Sequence, residues 1–325
     1  WLKLFELKAW EAGAPGGRKV LARTAGMETG VQAADPCEAA RQVEACAAAA
    51  RSGELLVIAD FDRTMTRNFM PGGARCTSAH GVLEDAAVLS ETFRSAAKEL
   101  FQKYYPIEID AEMPIEEKIP IMSEWYGQVH ELMTKEVVTR DAIRDAVASC
   151  STIGFRDGIT ELVAACQGAD PPIPLLVMSA GLGDVIEEFF RQRLPFPLSA
   201  TTMVVSNRMT FGDDGQLVGF SEPLLHMFNK TAAFMDDAAR ELTRGKRRCL
   251  LLGDGLGDLT MANGLEVETF KVGFLNENVE KRLESFCQGF HIVAMHDRSV
   301  PDMVFRAIGE APAHVSGGAA SAELH

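Results

Sequence analysis

The sequence predicts an α/β protein whose core is a parallel sheet, interrupted after its first strand by an inserted bundle of helices. Three observations predict it. Short apolar runs rich in branched residues recur at Leu55, Leu175, Met203, Leu250 and Ile292, each of strand length. Helical periodicity fills the intervals between the later runs, the alternation that builds parallel sheets. From Ala86 to about Val147 strand signals vanish, and apolar residues fall at spacings of three and four. Together these describe a Rossmann-like core with a helical cap.

Each element follows in order. Glu38 to Arg51 is an amphipathic helix leading into the first strand. Pro106, Pro114 and Pro120 are expected to break the inserted region into separate helices. After the strand at Leu175 a helix is expected from Asp184 to Arg193. Arg208 to Phe220 reads as a hairpin turning at Asp213-Asp214-Gly215, and another helix is expected near Leu259.

Composition narrows the function classes. At 325 residues the chain can hold one large domain or a core with an insertion. Its 47% apolar residues suffice for a buried core, yet no run has the length of a membrane span. A net charge of −14 argues against a nucleic-acid polymer as partner, which needs a basic face. Seven cysteines without a dense framework fit free thiols in a reducing compartment, so a cytoplasmic location is expected. None has zinc-site spacing. A monomer is the expected state. Because the chain begins at Trp1, a preceding segment is expected. Residues 1–30 lack a signal-peptide core, and Glu6, Glu11 and Glu28 count against an organelle-targeting remnant. The small, polar tail 311–325 is expected to be disordered.

The chemistry is concentrated where the strands end. In Leu55-Leu56-Val57-Ile58-Ala59-Asp60-Phe61-Asp62-Arg63-Thr64 a buried strand stops at two acids. Residues two apart in an extended chain face the same side, roughly 6.6 Å apart. Asp60 and Asp62 can therefore point into one crevice at a strand's carboxyl end, where open α/β sheets bind ligands. Unpaired neighbouring carboxylates repel each other, and a bound cation is the usual remedy. An Asp-rich turn is the bland alternative for this segment by itself. Cys249 to Asp258 repeats the design, with glycines that let backbone approach a ligand between Asp254 and Asp258. Between these loops, Leu175-Leu176-Val177-Met178-Ser179-Ala180-Gly181 ends in a hydroxyl and small residues that suit phosphate oxygens. Lys230 can supply a point charge to the same anion.

The order DxDxT, Ser, Lys, GDxxxD resembles the haloacid dehalogenase superfamily of phosphohydrolases. The resemblance narrows in Gly73-Ala74-Arg75-Cys76-Thr77-Ser78, in Lys103-Tyr104-Tyr105-Pro106-Ile107-Glu108-Ile109-Asp110, in Glu124-Trp125-Tyr126 and in His226-Met227-Phe228-Asn229-Lys230. These segments are similar to the cytosolic pyrimidine 5′-nucleotidase family (cytosolic 5′-nucleotidase III-like) over roughly residues 37–308. The resemblance implies a haloacid dehalogenase-like core at 37–75 and 151–310, a helical cap at 76–150 and an N-terminal extension at 1–36. It implies Mg²⁺-dependent hydrolysis of pyrimidine nucleoside 5′-monophosphates through an aspartyl-phosphate. Asp60 would be the nucleophile and Asp62 the general acid and base. Mg²⁺ would be held by Asp60, the Asp62 carbonyl and Asp254, with Asp258 orienting bound water. Ser179, the Ala180 amide and Lys230 would clamp the phosphoryl oxygens.

Glu108 is implied as the reader of the base, with Tyr105 and Trp125, then Tyr126 and His80, as stacking candidates; packing between cap and core is the bland role for these rings. Two positions depart from the family pattern: Val129 stands where a polar residue is expected, and Arg63 replaces an apolar residue inside the first motif. Other readings remain open here. The enzyme could prefer 7-methylguanosine monophosphate, act on a phosphoserine-type metabolite, or transfer the phosphoryl group to a second nucleoside. A non-catalytic nucleotide-binding descendant would be expected to have lost Asp60 or Asp254, and both are present.

Overall fold

The computed structural model describes residues 28–310 apart from 87, 109 and 111, and of Asp85 the backbone alone. The expected tail at 311–325 and residues 1–27 of the expected extension lie outside the described residues. The chain opens with β1 (Val31–Ala33) and α1 (Pro36–Arg51), whose first turn is capped by Asp35 accepting from the amides of Cys37 and Glu38. β2 (Leu55–Ala59) follows. The inserted helices are α2 (Ala79–Asp85), α3 (Glu91–Glu108), α4 (Ile115–Met133) and α5 (Arg140–Ser149). The chain returns through α6 (Ile159–Gly168), β3 (Leu175–Leu182), α7 (Gly183–Arg193) and β4 (Thr202–Asn207). An antiparallel hairpin, β5 (Met209–Phe211) and β6 (Leu217–Phe220), sits where the sequence placed it. The remaining elements are α8 (Asp237–Thr243), β7 (Arg248–Gly253), β8 (Glu268–Leu275), α9 (Val279–Gly289), β9 (Ile292–Met295) and α10 (Asp302–Ala307).

The main sheet has the order β1-β9-β8-β7-β2-β3-β4, parallel except for β1 at the edge. β2 lies between β7 and β3, so the strand order reverses at the strand that ends in Asp60. That is the switch point where such sheets open a crevice. Helices cover both faces, and the strands are therefore apolar on both sides. Leu55, Val57 and Ala59 of β2 join one core cluster, while Leu56 and Ile58 join the other.

Three expectations are corrected. Pro106 and Pro120 do not separate helices: they lie inside α3 and α4, and only Pro114 stands at a boundary. A proline inside a helix costs about 3 kcal/mol or more, set here against burial of Phe93, Ala97 and Tyr104 on α3 and of Met122, Trp125, Val129 and Met133 on α4. Residues 31–33, expected in an extension, pair with β9. The segment after Asp254 forms a 3-10 turn at Leu256–Thr260 instead of a helix near Leu259.

Candidate active site

β7, β2 and β3 are neighbours, and their carboxyl ends bring Asp254, Asp60 and Ser179 together. Asp60 follows β2 directly and is 4% exposed. Its Oδ1 accepts a hydrogen bond from Lys230 Nζ at 2.5 Å, and the same ammonium donates to Asp258 Oδ1 at 2.8 Å. Carboxylate oxygens of Asp60, Asp254 and Asp258 lie within 4.8 Å of one another. Asp60 Oδ2 is buried and has no hydrogen-bond partner among the described residues. A buried acceptor left without a donor, facing two more carboxylates, is the donor set of a hard divalent cation. The residues present fit such an ion.

The electrostatics agree. Burial, opposed by Lys230 and reinforced by Asp258 and Asp254, raises the Asp60 carboxyl above the ordinary range. Burial and then Asp258 push Asp254 up to about 6. Burial disfavours charge on Lys230, but Asp258 and Asp60 outweigh it and keep the ammonium protonated. One lysine against three acids leaves negative charge that a cation would offset.

The loop between Asp60 and Thr64 is clamped from behind. Phe61 packs edge-on against Phe189 and Phe190, each at 5.7 Å. Arg156, 1% exposed, donates Nε to Thr64 O at 2.8 Å and Nη2 to both Arg63 O and Asn276 Oδ1. Asp62 is turned toward the insertion, where its Oδ1 accepts from the Ala79 amide at 2.9 Å, the first residue of α2. Burial raises its pKa and that amide lowers it, with the rise prevailing. A carboxyl so placed holds a proton to higher pH than an exposed one, which suits donation to a leaving oxygen.

The Ser179-Ala180-Gly181 stretch, where β3 shifts register against β4, is held by Asn207, whose Nδ2 donates to Ala180 O at 3.0 Å and to Leu225 O at 2.9 Å. One side chain thereby ties the end of β3 to the segment leading into Lys230. Ser179 Oγ accepts from the Gly181 amide at 3.0 Å, leaving its own proton for an anion. A Cβ at Gly181 would stand 3.0 Å from the Ala79 Cβ and 3.1 Å from Ser179 Oγ, a tight fit that a neighbour would have to yield to. In the acid loop, Asp258 Oδ2 accepts from the amides of Asp254 at 3.1 Å and Gly255 at 2.9 Å. The four-residue spacing thus folds the loop back on itself.

Above this floor a cavity of about 750 Å³ reaches into the insertion, within the size range of small-ligand sites. Its core wall includes Ala180, Gly181 and Asp254, and its far wall includes Glu108, Tyr105, Trp125, Tyr126 and His80. Asp60, Asp62, Ser179, Lys230 and Asp258 do not line it, and Asp254 joins the cavity to the acid cluster. Glu108 ends α3, half-buried, and burial lifts its pKa to about 7. Lys118 Nζ donates to its backbone oxygen at 2.9 Å and so holds the helix end. Tyr105 stacks on Phe101 at 4.6 Å and Trp125 on Tyr104 at 5.7 Å, so each ring has one face engaged by the cap itself. Val129 also lines the cavity, beside His130, whose ring lies on Phe220 at 3.9 Å.

Sequence reasoning missed Arg156, Asn207 and the Ala79 amide. Asn207 ends a recognisable strand, but nothing local assigns it a partner. Arg156 had a faint signal: a charged pair between Gly154 and Gly158 where the chain leaves the insertion.

Comparisons place this geometry among known proteins. The model of the pyrimidine 5′-nucleotidase (UMPH-1) family matches residues 63–309. A 7-methylguanosine phosphate-specific 5′-nucleotidase A from Xenopus laevis is 38% identical over 251 residues, covering 76% of this chain and 84% of that protein. Its namesake from Homo sapiens is 36% identical over 249 residues, covering 76% and 81%. The crystal structure of cytosolic 5′-nucleotidase IIIB bound to cytidine superposes with a TM-score of 0.75 at 29% identity, covering 87% of this chain and 93% of that one.

Proposed function

From the premise that the chain belongs to the pyrimidine 5′-nucleotidase family, we propose that it hydrolyses nucleoside 5′-monophosphates, pyrimidine nucleotides among them, to nucleoside and phosphate. One observation carries the reading: a buried acid cluster bridged by Lys230 lies at the core end of a cavity whose other end is aromatic and carries Glu108. One end suits a phosphoryl group and the other a base.

In this reading Asp60 attacks phosphorus, forming an aspartyl-phosphate and releasing the 5′-oxygen, which takes the proton of Asp62. Asp62, now ionised, removes a proton from water, which attacks the phosphorus and frees Asp60 and inorganic phosphate. Asp62 is held for both proton transfers by the Ala79 amide. Ser179, the Ala180 amide and Lys230 hold the phosphoryl oxygens, and Lys230 also fixes Asp60 for attack. Mg²⁺, held by Asp60, the Asp62 carbonyl and Asp254 with Asp258 behind them, would supply charge neutralisation. An all-oxygen donor set suits it. Glu108 accepts from the amino group of the base, and Tyr105 and Trp125 offer ring surface.

A 7-methylguanosine preference is the second reading. It is supported by a half-buried carboxyl among aromatic rings, which suits a base carrying positive charge and N–H donors. We assign the protein to the cytoplasm, a reading supported by seven free cysteines and by the description of its structural neighbour as cytosolic.

The test is phosphate release from CMP, UMP, 7-methyl-GMP and phosphoserine, each with Mg²⁺ and again in excess chelator. Turnover of a nucleotide that stops in chelator and returns with Mg²⁺ is expected. Turnover of phosphoserine with every nucleotide silent overturns the proposal, and full activity in chelator overturns the metal site.

A further inference from the structure

We infer that Arg63 is a second phosphate-binding cation, gripping the phosphomonoester where it passes from the core floor toward the cap; the inference rests on the phosphatase reading above. Arg63 stands inside the acid motif, between Asp62 and Thr64, where a long cation has no role in packing a strand end. Its backbone is left-handed, with φ 65° and ψ 4°. Such a conformation in a residue with a side chain persists only where its surroundings over-determine it. Here they do. The Arg63 amide donates to Thr66 Oγ1 at 2.8 Å, and its carbonyl accepts from Asn276 Nδ2 at 3.0 Å and from buried Arg156. The scaffold fixes the backbone and leaves the half-buried side chain on the cavity wall, which it shares with Asp254 and Gly181 of the core and Glu108 of the cap.

The guanidinium has no hydrogen bond or ion pair among the described residues, although it offers five donors. Its neighbours are already engaged. Lys230 is bonded to Asp60 and Asp258, and Lys118 to the carbonyls of Glu108 and Asp110. Arg75 pairs with Glu277, and Arg282, which also lines the cavity, lies over Phe286. Among the described residues of the cavity wall, Arg63 and Arg282 are thus the lysine or arginine side chains without a hydrogen bond or ion pair, and Arg63 is the one inside the acid motif. Its charge reaches the cap, where it opposes the rise that burial gives the Glu108 carboxyl. A phosphomonoester brings a charge of about −1.5 to −2 into a floor already rich in carboxylates. A planar fork that binds two phosphate oxygens at once is the group suited to offset it.

The experiment uses the full chain and three variants, R63M, R63G and R63K. R63G removes the guanidinium while relieving the left-handed backbone, so it serves if R63M fails to fold. Inorganic phosphate binding is measured by calorimetry in Mg²⁺, and KM and kcat with CMP and with p-nitrophenyl phosphate. Loss of the guanidinium is expected to weaken phosphate binding about tenfold or more, the effect of one or two charge-assisted bonds. KM should rise by a similar factor for both substrates, with kcat changing less and R63K recovering part of the loss. Unchanged phosphate binding in the folded variants overturns the inference. So does a KM rise confined to CMP, which would assign Arg63 to the ribose or base. A parent protein that neither binds phosphate nor releases it from nucleotides defeats the phosphatase reading instead.

Discussion

The floor of the site and the cap above it are built on opposite plans. In the floor, the functional polar groups are tied to backbone or to one another: Asp258 to two amides, Lys230 to two carboxylates, Asp62 to the Ala79 amide. In the cap, position is set by packing, as rings stack in pairs and Glu108 is carried at a helix end. Rigid hydrogen-bonded anchoring suits chemistry that needs atoms placed to fractions of an ångström. Packed aromatic walls suit recognition, where shape and one or two polar contacts choose among ligands. On the proposed function, the difference assigns the reaction to the floor and the substrate range to the cap. Each half can then be broken without breaking the other.

The largest expected effect comes from the floor. Asp60→Asn keeps the shape of the side chain and removes the proposed nucleophile. Phosphate release should fall at least ~10³-fold on every substrate, since losing a nucleophile removes a covalent pathway instead of one contact. The variant should melt cooperatively, because the strands below Asp60 are untouched. Turnover within tenfold of the parent, a barrier change of about 1.4 kcal/mol, would remove Asp60 from the role.

The two halves also differ in how legible they were. The acids at 60, 62, 254 and 258 could be read because each follows a buried apolar strand, where an unpaired carboxylate has no structural use. β8 escaped as a strand because it begins Glu268-Thr269-Phe270-Lys271 and carries its apolar run only later, from Val272. β1 is three residues long and gains its identity only by pairing with β9. Pro120 reads as a helix breaker because local cost is visible in sequence and the packing that offsets it is not. For Arg156, beyond its faint local signal, and for Asn207 no partner could be read: those partners lie up to 142 residues away, in the case of Arg298 bonded to Arg156. In the cap, Glu108 was found through resemblance to a family and not through any property of its own segment.

A middle-sized effect should isolate the cap. Glu108→Ala removes the carboxyl proposed to read the base while leaving the acid cluster intact. Its kcat/KM on a nucleotide with a matching amine should drop by about 5- to 150-fold, the range for one unmet polar contact of 1–3 kcal/mol. Hydrolysis of p-nitrophenyl phosphate, which has no base to reach the cap, should change little. Equal losses on both substrates would show that the halves are coupled and that Glu108 supports closure or folding of the cap.

The smallest effect concerns stability and is read in sign. Burial raises the Glu108 pKa from 4.5 to about 7, with Lys118 and then Arg63 opposing. The folded chain therefore binds this proton more tightly than the unfolded chain. Stability from that bound proton is fully present below about pH 4.5 and is lost as pH rises through about 7. Glutamine at this position has no proton to lose. The Tm of Glu108→Gln, compared with the parent at each pH, should accordingly be level or lower near pH 4.5 and gain steadily toward pH 8. The acids of the floor would obscure the comparison if they titrated in the same window, so both proteins are melted in saturating Mg²⁺. A difference in Tm that stays flat from pH 4.5 to 8 would mean that the carboxyl is solvated or paired in solution. The cap would then hold its acid as the floor does, by a partner, and the contrast between the two halves would fail at this residue.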